Sequence, residues 1–568
     1  MEKRWVFQES ADEETVQQLA KDINVNPALA NLLIQRGVGA FDDAKRFFRP
    51  SLKMLHDPFL MKDMVHAVNR LLMAMEREEK ILIYGDYDVD GTTSVALAYG
   101  FLHTLYEHIE YYIPDRYKEG YGISEEGIQY AAENGFSLII SLDCGIRAVG
   151  LINEARKKNI DFIVCDHHRP GEQLPPAHAI LNPKQEGCNY PFKELCGCGV
   201  GFKLLHGLCV RTKSHHKELA EWLDLVAVAI AADIVPITGE NRILSYFGLQ
   251  RLNESPRPGL QALAQLAGLK NEINIENIVF GFAPRINAAG RMEHAKAAVQ
   301  LLLAETEDCA MKMANELNVQ NTERRGYDTL MTQEALEMIE GNATLAQAKA
   351  TVLFKNDWHK GVVGIVASRC IEKHYRPTII LTESHGKASG SARSVDGFDV
   401  YSAIEACSDL LDQFGGHKYA AGLTLPLENV PLFQKKFEEI VSESISADQL
   451  IPLVNIDVQI NLADITPKFF NIIKQFAPFG PGNMRPIFMS DHLMVYGYPQ
   501  ILKEQHLKFS VRQEGSQKIY NAIGFGMAHF YELVLEGKPF KMAYNVEENH
   551  YNGNTSLQLM IRDIKPME

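Results

Sequence analysis

Between residues 80 and about 265, short apolar runs alternate with stretches of helical periodicity. Strands are predicted over 81–84, 110–113, 138–142 and 162–165, and helices over 93–106, 124–134 and 148–158. Such alternation predicts a mainly parallel sheet covered by helices. Upstream, 1–50 reads as a small helical lead-in and 60–79 as a helix entering the first strand. Downstream, 297–340 has no proline and one glycine, with apolar residues at helical spacing among many charges; this predicts one or two long connecting helices. A second α/β unit follows over 346–450, with strands at 351–354 and 377–381 around a helix at 365–374. From 451 the period changes to two: Val454, Ile456, Val458 and Ile460 alternate with polar residues, which predicts a small β-barrel or sandwich. The fold class is therefore α/β with a β-rich C-terminal domain. The predicted divisions are 1–50, 51–295, 296–345, 346–450 and 451–568.

Composition narrows the class. The chain has 57 Lys and Arg against 72 Asp and Glu, a net charge of −15, which argues against broad non-specific coating of DNA but leaves room for a local basic groove. No apolar run is long enough for a membrane span, and the first residues lack a secretory core, so the expectation is a cytoplasmic protein without a membrane partner. Nine scattered cysteines suit reduced thiols. Cys188, Cys196 and Cys198 invite a zinc reading, yet no second Cys or His pair follows at zinc-site spacing.

The chemistry lies at the strand ends. The first strand runs into Gly85-Asp86-Tyr-Asp88-Val-Asp90-Gly, the third into Asp143 and the fourth into Asp166-His167-His168. Parallel strands joined by right-handed crossovers place these ends at one edge, where open α/β sheets bind ligands. Asp233, at the end of an almost wholly apolar helix, is a further acid that needs a partner. Carboxylates and histidines without thiolates suit hard divalent cations, Mn²⁺ or Mg²⁺, and a paired site would activate water and stabilise a leaving oxygen. The candidate ligands are Asp86, Asp88, Asp90, Asp143, His167 and Asp233, with Asp143 bridging. His168 is left to donate to a phosphate. In the second α/β unit, Gly386–Ser394 and Phe414–Gly422 read as small-residue loops through which backbone amides and Arg393 meet a phosphate. In the β-rich domain, Arg485, Lys503, His506, Lys508 and Phe509 are candidate contacts for a single strand.

Asp86-Tyr-Asp-Val-Asp90-Gly, Asp143, Asp166-His-His168 and Asp233 resemble the four motifs of the DHH phosphoesterase superfamily. Gly415-Gly-His-Lys-Tyr-Ala-Ala-Gly422 resembles the signature of its associated second domain. Ile113-Pro-Asp-Arg116-Tyr-Lys-Glu-Gly-Tyr-Gly122, Pro284-Arg-Ile-Asn-Ala-Ala-Gly-Arg-Met292 and Ala477-Pro-Phe-Gly-Pro-Gly-Asn483 narrow the match to the superfamily's single-strand-specific exonucleases, from about residue 20 onward. The resemblance implies 5′→3′ degradation of single-stranded DNA to mononucleotides in recombination and repair. It implies a DHH domain, a connecting helix, a DHH-associated domain and an OB domain. Two metal ions would sit on the aspartates and His167, and Asp143 and His168 would be catalytic. Arg116, Ser391 and Arg393 would form the pocket for the 5′ end. Arg285 or Arg291 and His417, with Gly416 beside it, would contact phosphates. A single-strand-binding protein and a RecQ-type helicase are the implied protein partners. The alternative is a phosphodiesterase of the same superfamily for short oligonucleotides or cyclic dinucleotides, whose members usually lack the β-rich domain. Two departures stand out. Tyr84 occupies the place of a metal-binding His in pyrophosphatase-like relatives, which leaves the role of Asp86 open, and Met484-Arg485 replaces a common Pro and acid.

Overall fold

The computed structural model describes residues 2–116, 118–292, 295–551 and 553–567. The chain divides into two compact units: Asp42–Thr322 with Gln475–Arg485, and Met1–Phe41 with Glu323–Lys474 and Pro486–Glu568. The 34-residue helix Glu307–Glu340 runs from the first unit into the second. Among the described residues no helix is long and apolar enough to cross a membrane.

The first unit is built on a five-stranded parallel sheet in the order Ile109–Tyr112, Lys80–Gly85, Phe136–Leu142, Asp161–Cys165, Ala179–Leu181. Its strands read as continuous apolar runs because both faces are covered. Ile81, Ile83, Leu138 and Ile140 pack into one core, while Leu82, Ile139, Phe162 and Val164 pack into another. Each such buried side chain contributes roughly 1.5–3 kcal/mol. Strand order reverses beside Lys80–Gly85, which has the next strand in sequence on one side and Phe136–Leu142 on the other. That strand therefore opens onto the crevice of the sheet.

A distant segment completes this unit. Phe476 packs edge-on against Phe47 at 5.4 Å, and Arg242 donates to the Phe476 carbonyl at 2.7 Å while its guanidinium lies 3.9 Å from the Phe47 ring centre. Ile237 N–H donates to the Pro481 carbonyl at 2.7 Å, and Asn483 ties the segment to itself through the Phe476 and Pro478 carbonyls.

In the second unit a five-stranded sheet runs Gln413–His417, Ala420–Pro426, Lys387–Arg393, Thr378–Ser384, Thr351–Phe354, with only the last pair parallel. The two small-residue segments predicted as phosphate loops are mostly strand in this sheet. Close packing explains the missing side chains. A Cβ on Gly390 would stand 2.1 Å from the Ile380 carbonyl oxygen, and one on Gly416, at φ +148°, 2.4 Å from that of Ala420. Strand propensity scales reward β-branched residues and so pass over strands selected for thinness.

The C-terminal strands close on themselves. Phe488–Leu502 pairs with both His506–Gln513 and Phe540–Tyr551, and the circuit returns through Ile519–Gly524 and Asn554–Pro566. This is a five-stranded barrel of OB type. Phe509 points into it, buried against Phe540, and is no surface contact; Lys503 and Lys508 are exposed. His506 accepts from Gly526 N–H, and Arg485 stacks on Phe479 within the first unit.

Candidate metal centre

Three strand ends and one helix end converge on His167. Its Nε2 lies 3.2 Å from Asp143 Oδ1, 3.7 Å from Asp233 Oδ2 and 3.8 Å from Asp90 Oδ2. Asp90, His167 and Asp233 can offer ligand atoms within 4.8 Å of one another, as can Asp143, His167 and His168. Asp143 is held at φ +59°, a left-handed conformation that a non-glycine residue adopts at a cost of about 1–3 kcal/mol. Ile234, directly after Asp233, has φ +59° as well.

Local rules explain how each acid is presented. Asp88 caps the helix Val89–His103, accepting from Gly91 N–H at 3.0 Å, so this helix begins four residues before the predicted start. Asp90 is buried within its first turn and accepts from Gly197 and Cys198 N–H at 2.6 and 2.8 Å, the first amides of the helix Gly197–Thr212. A carboxylate at a helix N-terminus is stabilised by unpaired amides and the helix dipole. Gly197 is required there, since its Cβ would stand 2.5 Å from that of Asp143. Asp233 ends the apolar helix Leu223–Ala232.

The electrostatics call for a cation. Burial and then repulsion from Asp90 and Asp88 raise Asp143 well above the ordinary carboxylate range, and the same two causes push Asp233 up to about 8. Burial lowers His167. Asp143 Oδ1, Asp233 Oδ2, Asp86 Oδ2 and His167 Nδ1 are buried without a hydrogen-bond partner. Of these, the Asp143 and Asp233 oxygens face His167 Nε2 at 3.2 and 3.7 Å, and two orphaned carboxylate oxygens beside an imidazole nitrogen fit a divalent ion as the missing partner.

Asp86 stands apart from the His167 cluster. It is fully buried, and burial followed by Asp88 raises it well above its usual value, against backbone hydrogen bonds from Tyr87 and, at a long 3.5 Å to Oδ1, from Gly122 N–H. Tyr84 lies outside the donor set. Its ring is buried and stacked on Tyr112, and its hydroxyl donates to the Gly122 carbonyl.

His168 is more constrained than its sequence neighbourhood suggested. Nδ1 pairs with Asp166 Oδ1 at 2.7 Å, and Nε2 lies 3.2 Å from the Tyr121 hydroxyl, which is also 3.2 Å from the Asp143 carbonyl. Burial opposes charge on His168, but the bond to Asp166 outweighs it and raises the imidazole. Burial alone would raise Asp166, and His168 instead holds it down at about 2. Asp166 orients the ring, and neither it nor Tyr121 stood among the candidate site residues. The aspartate was visible inside its motif; Tyr121 had no signal beyond a loop of glycines.

The basic candidates divide. Arg116 lies over the Tyr87 ring at 5.1 Å and is close enough to Asp86 to oppose part of the rise in its pKa, and Arg291 acts on Tyr87 from the helix Ala283–Met292. Arg285 is a clamp: it donates to the Gly281 and Leu266 carbonyls and to Asn318 Oδ1 at 2.6–3.0 Å, fixing the π-helical turn Ile278–Phe282. In the second unit, Arg393 donates to Ser391 Oγ at 2.7 Å, and a Cβ on Gly364 would stand 2.8 Å from its Nη2. Burial lowers the pKa of Arg393, and no described carboxylate offsets that. Gly416 and His417 are exposed at the end of their strand. Cys196 serves as a helix cap through its sulfur, and the cysteines lie outside both donor groups.

Residues 80–230 match the DHH family, N-terminal domain; 347–443 match the DHHA1 domain and 456–563 the RecJ OB domain. The chain is 39% identical over 564 residues to the single-stranded-DNA-specific exonuclease RecJ of Bacillus subtilis, covering 99% of this chain and 70% of that one. It is 33% identical to the Escherichia coli RecJ, covering 95% and 96%. The crystal structure of Thermus thermophilus RecJ in complex with Mn²⁺ superposes with a TM-score of 0.86 at 28% identity, over all of this chain and 80% of that one; the Mg²⁺ complex gives 0.79 at 27%, over all of this chain and 79% of that one. With three domain matches in order and similarity along nearly the whole length, the chain belongs to the RecJ family of single-stranded-DNA-specific exonucleases.

Proposed function

We propose that this protein is a metal-dependent exonuclease that degrades single-stranded DNA from the 5′ end to mononucleotides in recombination and repair. The observation that carries this reading is the His167 imidazole ringed by oxygens of Asp143, Asp233 and Asp90 in a chain of this family. Two ions, Mn²⁺ or Mg²⁺, held by Asp86, Asp88, Asp90, Asp143, His167 and Asp233, would supply an activated water and neutralise charge on the phosphate. On this reading Asp143 would serve as the ligand common to both ions. His168, oriented by Asp166, presents its Nε2–H to the phosphate or to the departing 3′ oxygen once substrate displaces the Tyr121 hydroxyl. Arg116 and Arg291 beside Tyr87 receive backbone phosphates. Ser391 and Arg393, with Gly416 and His417, form the second phosphate-binding group, while Arg285 supports the fold beneath. The OB barrel holds the single strand, and the domain limits 51–295, 346–450 and 451–568 follow the same division of labour.

Nine unpaired cysteines, eight of them buried, favour a reducing cytoplasm. A RecQ-type helicase and a single-strand-binding protein would supply and present the substrate. The test uses single strands labelled at the 5′ or the 3′ end, together with duplex and a dinucleotide, in Mn²⁺ or EDTA. The expected result is 5′-label release as mononucleotide, only with metal. Early release of the 3′ label, or preference for duplex or dinucleotide, overturns the reading.

A further inference from the structure

Among its described residues, the segment between Tyr112 and Glu125 has no regular secondary structure, yet it is tied at both ends to buried groups. Glu119 is the knot. Its Oε1 accepts from Asp115 N–H at 2.7 Å, and its Oε2 accepts from the Ser124 hydroxyl at 2.6 Å and the Tyr112 hydroxyl at 2.9 Å. The far end of the segment is held from the neighbouring strand. The Tyr84 hydroxyl donates to the Gly122 carbonyl at 3.0 Å and accepts from Ser124 N–H at 3.1 Å. Space for this ring is reserved by Gly127, whose Cβ would stand 2.5 Å from Tyr84 Cε2. Between these anchors the segment delivers Arg116 onto Tyr87 and the Tyr121 hydroxyl to His168 and Asp143.

We propose that Glu119 and Tyr84 are positioning residues for substrate selection: together they fix the loop so that Arg116 meets the terminal phosphate of the strand. The inference rests on the reading of Arg116 as a phosphate-binding residue. A carboxylate that gathers an amide and two hydroxyls makes charge-assisted bonds, stronger than neutral ones. Losing them lets the guanidinium drift, and displacement by about 1 Å suffices for large losses in rate or binding.

The test measures kcat and KM for one oligonucleotide bearing either a 5′-phosphate or a 5′-hydroxyl, in the full-length protein with Mn²⁺. Arg116→Ala, Glu119→Ala, Glu119→Gln and Tyr84→Phe are compared with the parent, and thermal unfolding checks the fold. Arg116→Ala should remove the preference for the phosphorylated strand. Glu119→Ala should raise KM for that strand about tenfold with a much smaller change in kcat, and reduce the preference at least about fivefold. Glu119→Gln, which keeps one acceptor oxygen, should fall between parent and alanine, and it decides the matter if the alanine variant does not fold. Tyr84→Phe should shift the preference in the same direction by a smaller factor. If Arg116→Ala loses the preference while both Glu119 variants keep it, the positioning role is overturned and the reading of Arg116 stands. If Arg116→Ala keeps the preference, the reading beneath the inference has failed and the inference goes with it.

Discussion

Two sites in this protein pose opposite electrostatic problems. Around His167, buried carboxylates crowd together and their pKa values rise. Around Arg393, a guanidinium is partly buried without a described carboxylate, and its pKa falls. Each is costly alone, because burying an unpaired charge is unfavourable by several kcal/mol. The first calls for cations; the second, whose guanidinium donates only to neutral oxygens in the hydrogen bonds of Ser391 Oγ and the Ala392 carbonyl, suits an anion.

That contrast can be broken at several points. Asp143→Ala should reduce hydrolysis by at least about a thousandfold. Unfolding in EDTA should show no loss of stability, because the substitution removes a buried like charge; a lower unfolding temperature would mean Asp143 supports the fold instead. Metal should stabilise the parent by about 2.7 kcal/mol at a hundredfold excess over its Kd, read as a higher unfolding temperature. Asp143→Ala should blunt that rise, while Arg393→Ala should leave it intact. On the anion side, Arg393→Ala should raise KM for single strands roughly tenfold to a hundredfold, the value of hydrogen bonds to a charged group. A fall in kcat at unchanged KM would place Arg393 outside substrate binding. Gly416→Val tests the sheet that carries this second site. It should destabilise by roughly 2–3 kcal/mol, measured by denaturant unfolding, since the side chain meets the Ala420 carbonyl. Smallest of all, Lys508→Ala on the barrel surface should weaken single-strand affinity about twofold and flatten its salt dependence slightly.

The metal centre was legible because chemistry and topology coincide in its sequence. Apolar runs ending in Asp88 and Asp90, in Asp143 and in His167 mark the C-terminal ends of parallel strands, and a parallel sheet brings such ends together. What escaped the pattern was whatever depends on thinness or on contacts distant in sequence. Lys387–Arg393 is a strand of small residues, so its composition resembles a loop. Gly197 and Cys198 reach Asp90 across more than a hundred residues, and their zinc-like cysteine spacing carries no sign of that amide contact. Phe509, a candidate single-strand contact by sequence, lies on the inward face of its strand, which alternation alone does not assign. Tyr84 posed a question in sequence that only hydrogen bonds to the next loop could answer.

The segment Gln475–Arg485 has a consequence for how the enzyme comes into being. All candidate ligands are present once synthesis has passed Asp233, yet the groups of Arg242 and Ile237 that bind this segment wait for some 240 further residues to emerge. At about 5–20 residues per second that interval is on the order of ten seconds or more. A ribosome-bound fragment thus carries the full set of acids without the clasp that braces the helix and turn behind Asp233. Completion of the nuclease is deferred until most of the polypeptide has left the ribosome.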